Sequence, residues 1–149
     1  MEAFRVGMEN GQIHYACQCL NSLGGLNVVM GKPLRSVIVD TKRLRRIFQD
    51  FSQVFADALT APWHQFASNM TGQTDNVKVL TGDAMDEDSF LNETSVTLAK
   101  VNIHFIRVIL LYILGDFEAA VLEGRSGNTE GTHFMAYFKI LFSEWCVLR

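Results

Sequence analysis

Lys100, His104 and Arg107 stand at i, i+4 and i+7 in an otherwise apolar run of this 149-residue chain. On a helix that spacing places all three on one strip, where they can line a groove or offer a contact row to a partner. The plainer reading is the partly buried polar stripe of a packed helix. Lys42, Arg43, Arg45 and Arg46 form the densest charge cluster. Leu44 and Ile47 are expected to face inward, so these four cations wrap the outer side of their helix. They serve as a solvated face, a contact for an acidic partner, or a contact for the chain's own acidic loop at 83–93. Aromatic residues of the kind that stack on single-stranded nucleic acid are not interleaved with them.

Other constellations fall short of the chemistry they resemble. Gly25 and Gly31, followed by Lys32-Pro33, come near a phosphate-binding loop. That motif needs four residues between its glycines and a hydroxyl after its lysine, whereas here there are five and a proline. Asp83, Asp86, Glu87, Asp88 and Glu93 do not fall at the ligand positions of a calcium loop, which also needs a central glycine and a terminal glutamate. They are expected to form a solvated acidic loop that caps a following helix. His14, His64, His104 and His133 are scattered, with no paired cysteine or second histidine at ligand spacing. Cys17 and Cys19, two apart, point to different faces of a helix. Ser126 in GRSGN lacks the framing glycine of a nucleophile elbow. No catalytic residue, metal or cofactor is implied.

The elements that must position these residues read as helices. Residues 2–10 end at Gly11. Ile13, Ala16, Cys17, Leu20 and Leu23 form a second face, weakened at Gly24-Gly25, where the helix kinks or resumes to Met30. Gly31-Lys32-Pro33 breaks the chain. From Leu34 to Leu59 the apolar spacing predicts one long helix, or two with a bend near Asp57. Thr60-Ala61-Pro62 predicts another start, since proline suits a first turn, and Trp63, Phe66, Ala67 and Met70 share a face up to Gly72. Residues 73–95 are irregular and acidic. Lys100–Leu114 carries two adjacent apolar rows, one through Val101, Phe105, Val108 and Tyr112, the other through Ile103, Ile106, Leu110 and Ile113. That predicts a wide buried face and a helix around which the rest is organised. Asn102, His104 and Arg107 interrupt the run well before the ~20 apolar residues of a membrane span. A short helix is expected from Asp116 to about Glu123, then a loop, GRSGNTEGT. A last helix bears Phe134, Phe138, Leu141, Trp145 and Leu148 at helical spacing and meets Arg149 without a cap, as in a fragment of a longer multidomain chain.

Composition sets the class. The chain is 48% hydrophobic with a net charge of −3 and two prolines, which fits one globular all-α unit over 1–149 with no sheet and about six or seven helices. The mild acidity gives no nucleic-acid footprint. With an odd number of cysteines in no framework, and no apolar leader in MEAFRVGMENG, the expected location is the cytoplasm. Gly11-Gln-Ile13-His-Tyr-Ala16 and Gly115-Asp-Phe117-Glu-Ala-Ala120 share the order glycine, apolar, alanine at the mouth of a helical hairpin. Breaks at Gly31, Gly72 and Gly115 lie 41 and 43 residues apart, somewhat longer than the ~34-residue TPR unit. The spacing predicts irregular TPR-like hairpins stacked as an α-solenoid, with a closed helical bundle as the alternative.

With those residues in place, the sequence resembles a family. FRVGMENGQIHYACQCLNSL, GKPL, NMTGQTDNVKVLTGDAMDEDSF and ILLYILGDFEAA are similar to the helical-repeat region of large signalling proteins. Those proteins join a serine/threonine-kinase-like domain and an AAA-type ATPase to GAF and histidine-kinase modules. Gly11, Ile13, Tyr15 and Ala16, then Leu80, Gly82 and Ala84, then Leu114, Gly115, Phe117 and Ala120 match its turns. Gly124 and Gly127 depart from it, standing where the family continues with apolar residues. The matched residues are packing residues. The resemblance therefore implies no enzyme in these residues, but a segment that scaffolds or regulates kinase or ATPase domains of the same signalling polypeptide through protein–protein contacts. Lys100, His104, Arg107, Lys42, Arg43, Arg45 and Arg46 are the candidate partner-binding residues. Two other expectations stand beside this one: a small-molecule-binding or enzymatic helical domain using His104, Arg107 and Trp63, and a truncated gene product without independent function.

Overall fold

A computed structural model describes residues 2–129. Among them are seven α-helices and no strand: α1 (Glu2–Glu9), α2 (Ile13–Val29), α3 (Leu34–Asp50), α4 (Val54–Met70), α5 (Glu87–Glu93), α6 (Thr97–Ile113) and α7 (Phe117–Thr129). The all-α expectation holds. The expected final helix over 134–148 lies outside the described residues.

Helix ends are set by one device used five times. Gly11, Gly31, Ser52, Gly72 and Gly115 all take positive φ, and at each the chain closes the preceding helix with a paired backbone cap. Gly31 N–H donates to Val28 O at 3.0 Å and Lys32 N–H to Asn27 O at 2.9 Å. Such a left-handed residue satisfies carbonyls the last turn would otherwise leave bare. Four of the five are glycine, which has no Cβ to resist the conformation. The fifth, Ser52 at φ 54°, corrects the expected break. The chain does not run on to a bend near Asp57 or restart at Pro62. It turns at 51–53, and α4 passes straight through Pro62, which is buried within the helix.

The centre of the fold is α4 rather than α6. Twelve residues of α4 are buried, from Ala56 to Asn69, because it packs on α2, α3 and α6. Against α6 and the 73–95 segment, Trp63 and Phe66 join Leu80, Ile103, Ile106 and Leu110 in the main cluster. Against α2 and α3, Ala56 joins Cys17, Leu20, Leu44 and Phe48. The helices α2, α4 and α6 thus form one row. On the other side α3 packs on α2 and α4, and α7 packs on α6. Asn102 crosses the row, its Nδ2 donating to Leu59 O at 2.9 Å.

Gly24 and Gly25 are buried inside an unbroken α2 that is capped at Met30, so of the two expected courses, a kink or continuation to Met30, the helix takes the second. A Cβ at Gly25 would stand 2.9 Å from the Trp63 indole carbons, and one at Gly24 3.5 Å from Trp63 Cβ. The glycines let α2 lie against the indole. Helix α7 also runs into the expected loop, from Phe117 to Thr129. Glu123 is fastened to α6, which holds the turn that carries Gly124.

Two substitutions are expected to move stability in opposite directions. Ser52→Gly relieves the left-handed strain and raises stability by about 0.5–1 kcal/mol. Gly25→Ala drives a methyl into a rigid ring and lowers it by about 1–3 kcal/mol. Urea unfolding followed by circular dichroism measures both.

Candidate functional site

The segment 73–95 has one short helix, so its backbone groups need partners from elsewhere. Side chains of the flanking helices supply them. On α4, Gln65 and Asn69 are one turn apart and fully buried. Gln65 Oε1 accepts from Ala84 N at 3.0 Å, and Gln65 Nε2 donates to Asn69 Oδ1 at 2.8 Å. Asn69 Nδ2 donates to Val77 O at 2.9 Å and Val79 O at 2.6 Å. From α3, Arg45 Nη1 donates to Ala84 O at 2.7 Å, while its Nε donates to Asp57 Oδ1 at 2.7 Å. Within the segment, Glu87 Oε2 accepts from Leu80 N at 2.8 Å, and Asp86 accepts from Ser89 N at 2.9 Å to cap α5. That amide holds the Asp86 carboxyl below its usual range.

The acidic segment is therefore only partly solvated. Asp83, Asp86 and Asp88 are exposed, but Glu87 is 3% exposed and pairs with Arg107 Nη1. From there a row of charge continues. Arg107 Nη2 lies 3.3 Å from Glu123 Oε2, and Glu123 Oε1 is 2.5 Å from His104 Nδ1. This row stitches the segment to α6 and α6 to α7. Burial makes it consequential, since ion pairs at an exposed surface contribute little whereas a buried charge left without its partner is costly.

The structure thus separates the seven expected contact residues. His104 and Arg107 come together, and both are engaged by glutamates of the chain itself. Lys100, one turn earlier on α6, is half-buried. Arg45 turns inward to Asp57 and the Ala84 carbonyl, so the contact with the chain's own loop is made by this one cation of the cluster. Lys42, Arg43 and Arg46 are exposed on α3. Arg35, also exposed, extends them along the helix at a spacing of seven residues from Lys42 and eleven from Arg46. Next to this face on α4, burial and then the charges of Arg45 and Lys42 push His64 down to about 4. Its ring is neutral at physiological pH.

Sequence reasoning missed Gln65 and Asn69 and took Glu87, which is buried, for a solvated acid. A signal for the first two exists: two amides at i, i+4 within a helix whose other residues are mostly apolar. Beside them is an open cleft of about 550 Å³ lined by Gln73, Thr74, Asp75, Asn76 and Asp83 among others. Among the described residues no three histidine, cysteine or acidic side chains are grouped to hold a metal ion, and no helix is long and apolar enough to cross a membrane. No family model, curated protein or solved structure matches the chain.

The charge row makes a stability prediction. Arg107→Leu leaves Glu87 buried and unpaired and is expected to cost about 3 kcal/mol, whereas Arg107→Leu with Glu87→Leu recovers much of that loss. Thermal unfolding measures the stability, and limited proteolysis shows cleavage within 73–95 in the single variant first.

Proposed function

We propose that this chain is a non-catalytic helical-repeat segment, an irregular TPR-like α-solenoid, that scaffolds or regulates kinase or ATPase domains of a cytoplasmic signalling polypeptide. The reading takes its context from the sequence resemblance, and two structural features support the repeat. The left-handed caps at Gly11, Gly31, Ser52 and Gly72 recur every 20 or 21 residues, with the next at Gly115, 43 residues on. The helices α2, α3, α4 and α6 each have 17 residues. In such a stack each unit buries its apolar face on its neighbours and leaves an outer face for binding.

The observation that carries the binding reading is the ridge of Arg35, Lys42, Arg43 and Arg46. These cations stay exposed on α3 in a chain of net charge −3, while Arg45 among them is consumed inside. A cationic ridge that the fold leaves unused is complementary to an acidic segment of a partner domain. His104 and Arg107, occupied by Glu123 and Glu87, serve the fold, so the contact face moves from α6 to α3.

On this reading the neighbouring coding sequence is expected to continue into the partner to test. Its kinase or ATPase domain, expressed separately, is expected to bind this chain with an affinity that falls as salt rises. Lys42→Glu with Arg43→Glu and Arg46→Glu is expected to weaken that binding by at least about tenfold, since like charges now meet across the interface. Isothermal titration calorimetry at two salt concentrations measures this. Equal affinity of wild type and triple variant rejects the ridge, and absence of binding to any flanking domain rejects the scaffold.

A further inference from the structure

Three cations of α3 form a triangle. Arg46 stands four residues after Lys42 and three after Arg43, spacings that put Cβ atoms about 5–6 Å apart on a helix surface. All three are exposed. Like charges so placed repel one another and weaken the helix, and the fold does not relieve them. Its ion pairs take Arg5, Lys32, Arg45, Lys78 and Arg107. Among the described residues none takes Lys42, Arg43 or Arg46. On the same helix Asp40 is turned to Lys32, and Asp50, one turn beyond Arg46, makes no ion pair with it.

We infer that the triangle of Lys42, Arg43 and Arg46 binds the phosphate of a phosphorylated segment on a protein partner. The inference rests on reading the α3 ridge as a contact face, and it names the chemistry that the face selects. A carboxylate brings one negative charge. A phosphoserine brings about 1.5 to 2 at neutral pH, with three acceptor oxygens, the better match for three cations around one point. Two of the three are arginines, whose planar forks bond phosphate through paired N–H groups, and Lys42 adds a point charge. Arg35 lies apart, ~10 Å along the helix from Lys42. Three residues of extended chain cover a similar ~10 Å, so Arg35 meets an acidic residue three positions from the phosphate. The surroundings favour a narrow partner. Arg45 holds the Ala84 carbonyl, and with it the segment of Asp83, Asp86 and Asp88, against α3. Those three carboxylates are exposed, so a broad anionic surface such as a membrane or a nucleic acid meets them as well, whereas a single phosphate on a peptide does not.

Fluorescence anisotropy on the full chain tests it. The probe is a labelled degenerate peptide library with a fixed phosphoserine and a fixed glutamate three residues on, set against the same library with serine. The phosphorylated library is expected to bind at least about tenfold more tightly, since a dianion replaces a neutral hydroxyl. Arg43→Ala with Arg46→Ala is expected to remove that preference at an unchanged circular dichroism spectrum, because both side chains are exposed. Equal binding of the two libraries overturns the inference, and so does a preference that survives the alanine pair. Tighter binding to phosphatidylserine vesicles than to the phosphopeptides makes a membrane the partner and overturns it equally. The ridge itself is judged apart from the phosphate. A flanking domain that binds more weakly to the triple glutamate variant, yet equally well before and after phosphatase treatment, keeps the ridge and rejects the phosphate.

Discussion

The contact on which the rest of this fold depends is the Trp63 indole lying against Gly24 and Gly25. Helix α4 can serve three neighbours only if it comes close to each, and its widest side chain faces α2. Two adjacent glycines in a helix cost about 2 kcal/mol in propensity. That cost is offset because the backbone of α2 then receives the indole directly, and dispersion contacts along a flat ring accumulate with every atom brought to within 4 Å. Trp63 also meets Phe66 and Phe105 edge to face, both at 6.2 Å between ring centroids. One residue thereby couples α2, α4 and α6 into a row. The outer helices then have a fixed surface to pack on.

The second dependence runs through polar atoms. Where α3 and α7 flank the row with helices, the stretch between α4 and α6 is mostly irregular, and irregular backbone can be buried only if its amides and carbonyls are met. Gln65, Asn69, Glu87 and Arg45 meet them. Gly82 shows how tightly: a Cβ there would stand 2.6 Å from Gln65 Nε2. The amides of α4 thus do for the segment what the ladder of a helix would do internally. Arg107 and Glu123 extend the same logic to α7, so the segment and α7 are both tied to α6 by one row of polar contacts.

Much of this was legible in the residues. The helical class, the ends at Gly11, Gly31, Gly72 and Gly115, and the start at Asp116 follow from apolar period and cap chemistry, because these are local effects. Asp116 accepts from Ala119 N at 3.3 Å as a capping aspartate should. The misreadings share a physical origin. Gly24-Gly25 read as a weak point because its compensation, Trp63, lies nearly forty residues away. Pro62 read as a helix start because the tertiary burial that tolerates it inside α4 has no local trace. Ser52 went unseen because left-handed residues are recognised by glycine. Glu87 looked like one acid among several, and only Arg107, twenty residues on, makes it the buried one. Residues of the α3 cluster posed the same problem in reverse: sequence groups Arg45 with Lys42, Arg43 and Arg46, and only Asp57 and the Ala84 carbonyl separate it from them.

That separation explains why the candidate surface lies on α3 and not on α6. A cation half-buried between carboxylates has already exchanged its water for protein, so recruiting it to a partner would require breaking what it holds. Arg107, between Glu87 and Glu123, is in that position, and His104 beside it is occupied by Glu123. An exposed lysine or arginine keeps its hydration, and it can trade water for an acidic side chain without cost to the fold. Charge alone therefore does not mark an interface; charge without an internal partner does. The same reasoning applies to the apolar end of α6 and α7, where Tyr112, Phe117 and Val121 have the character of core residues and lack, among the described residues, the neighbours that would make them so.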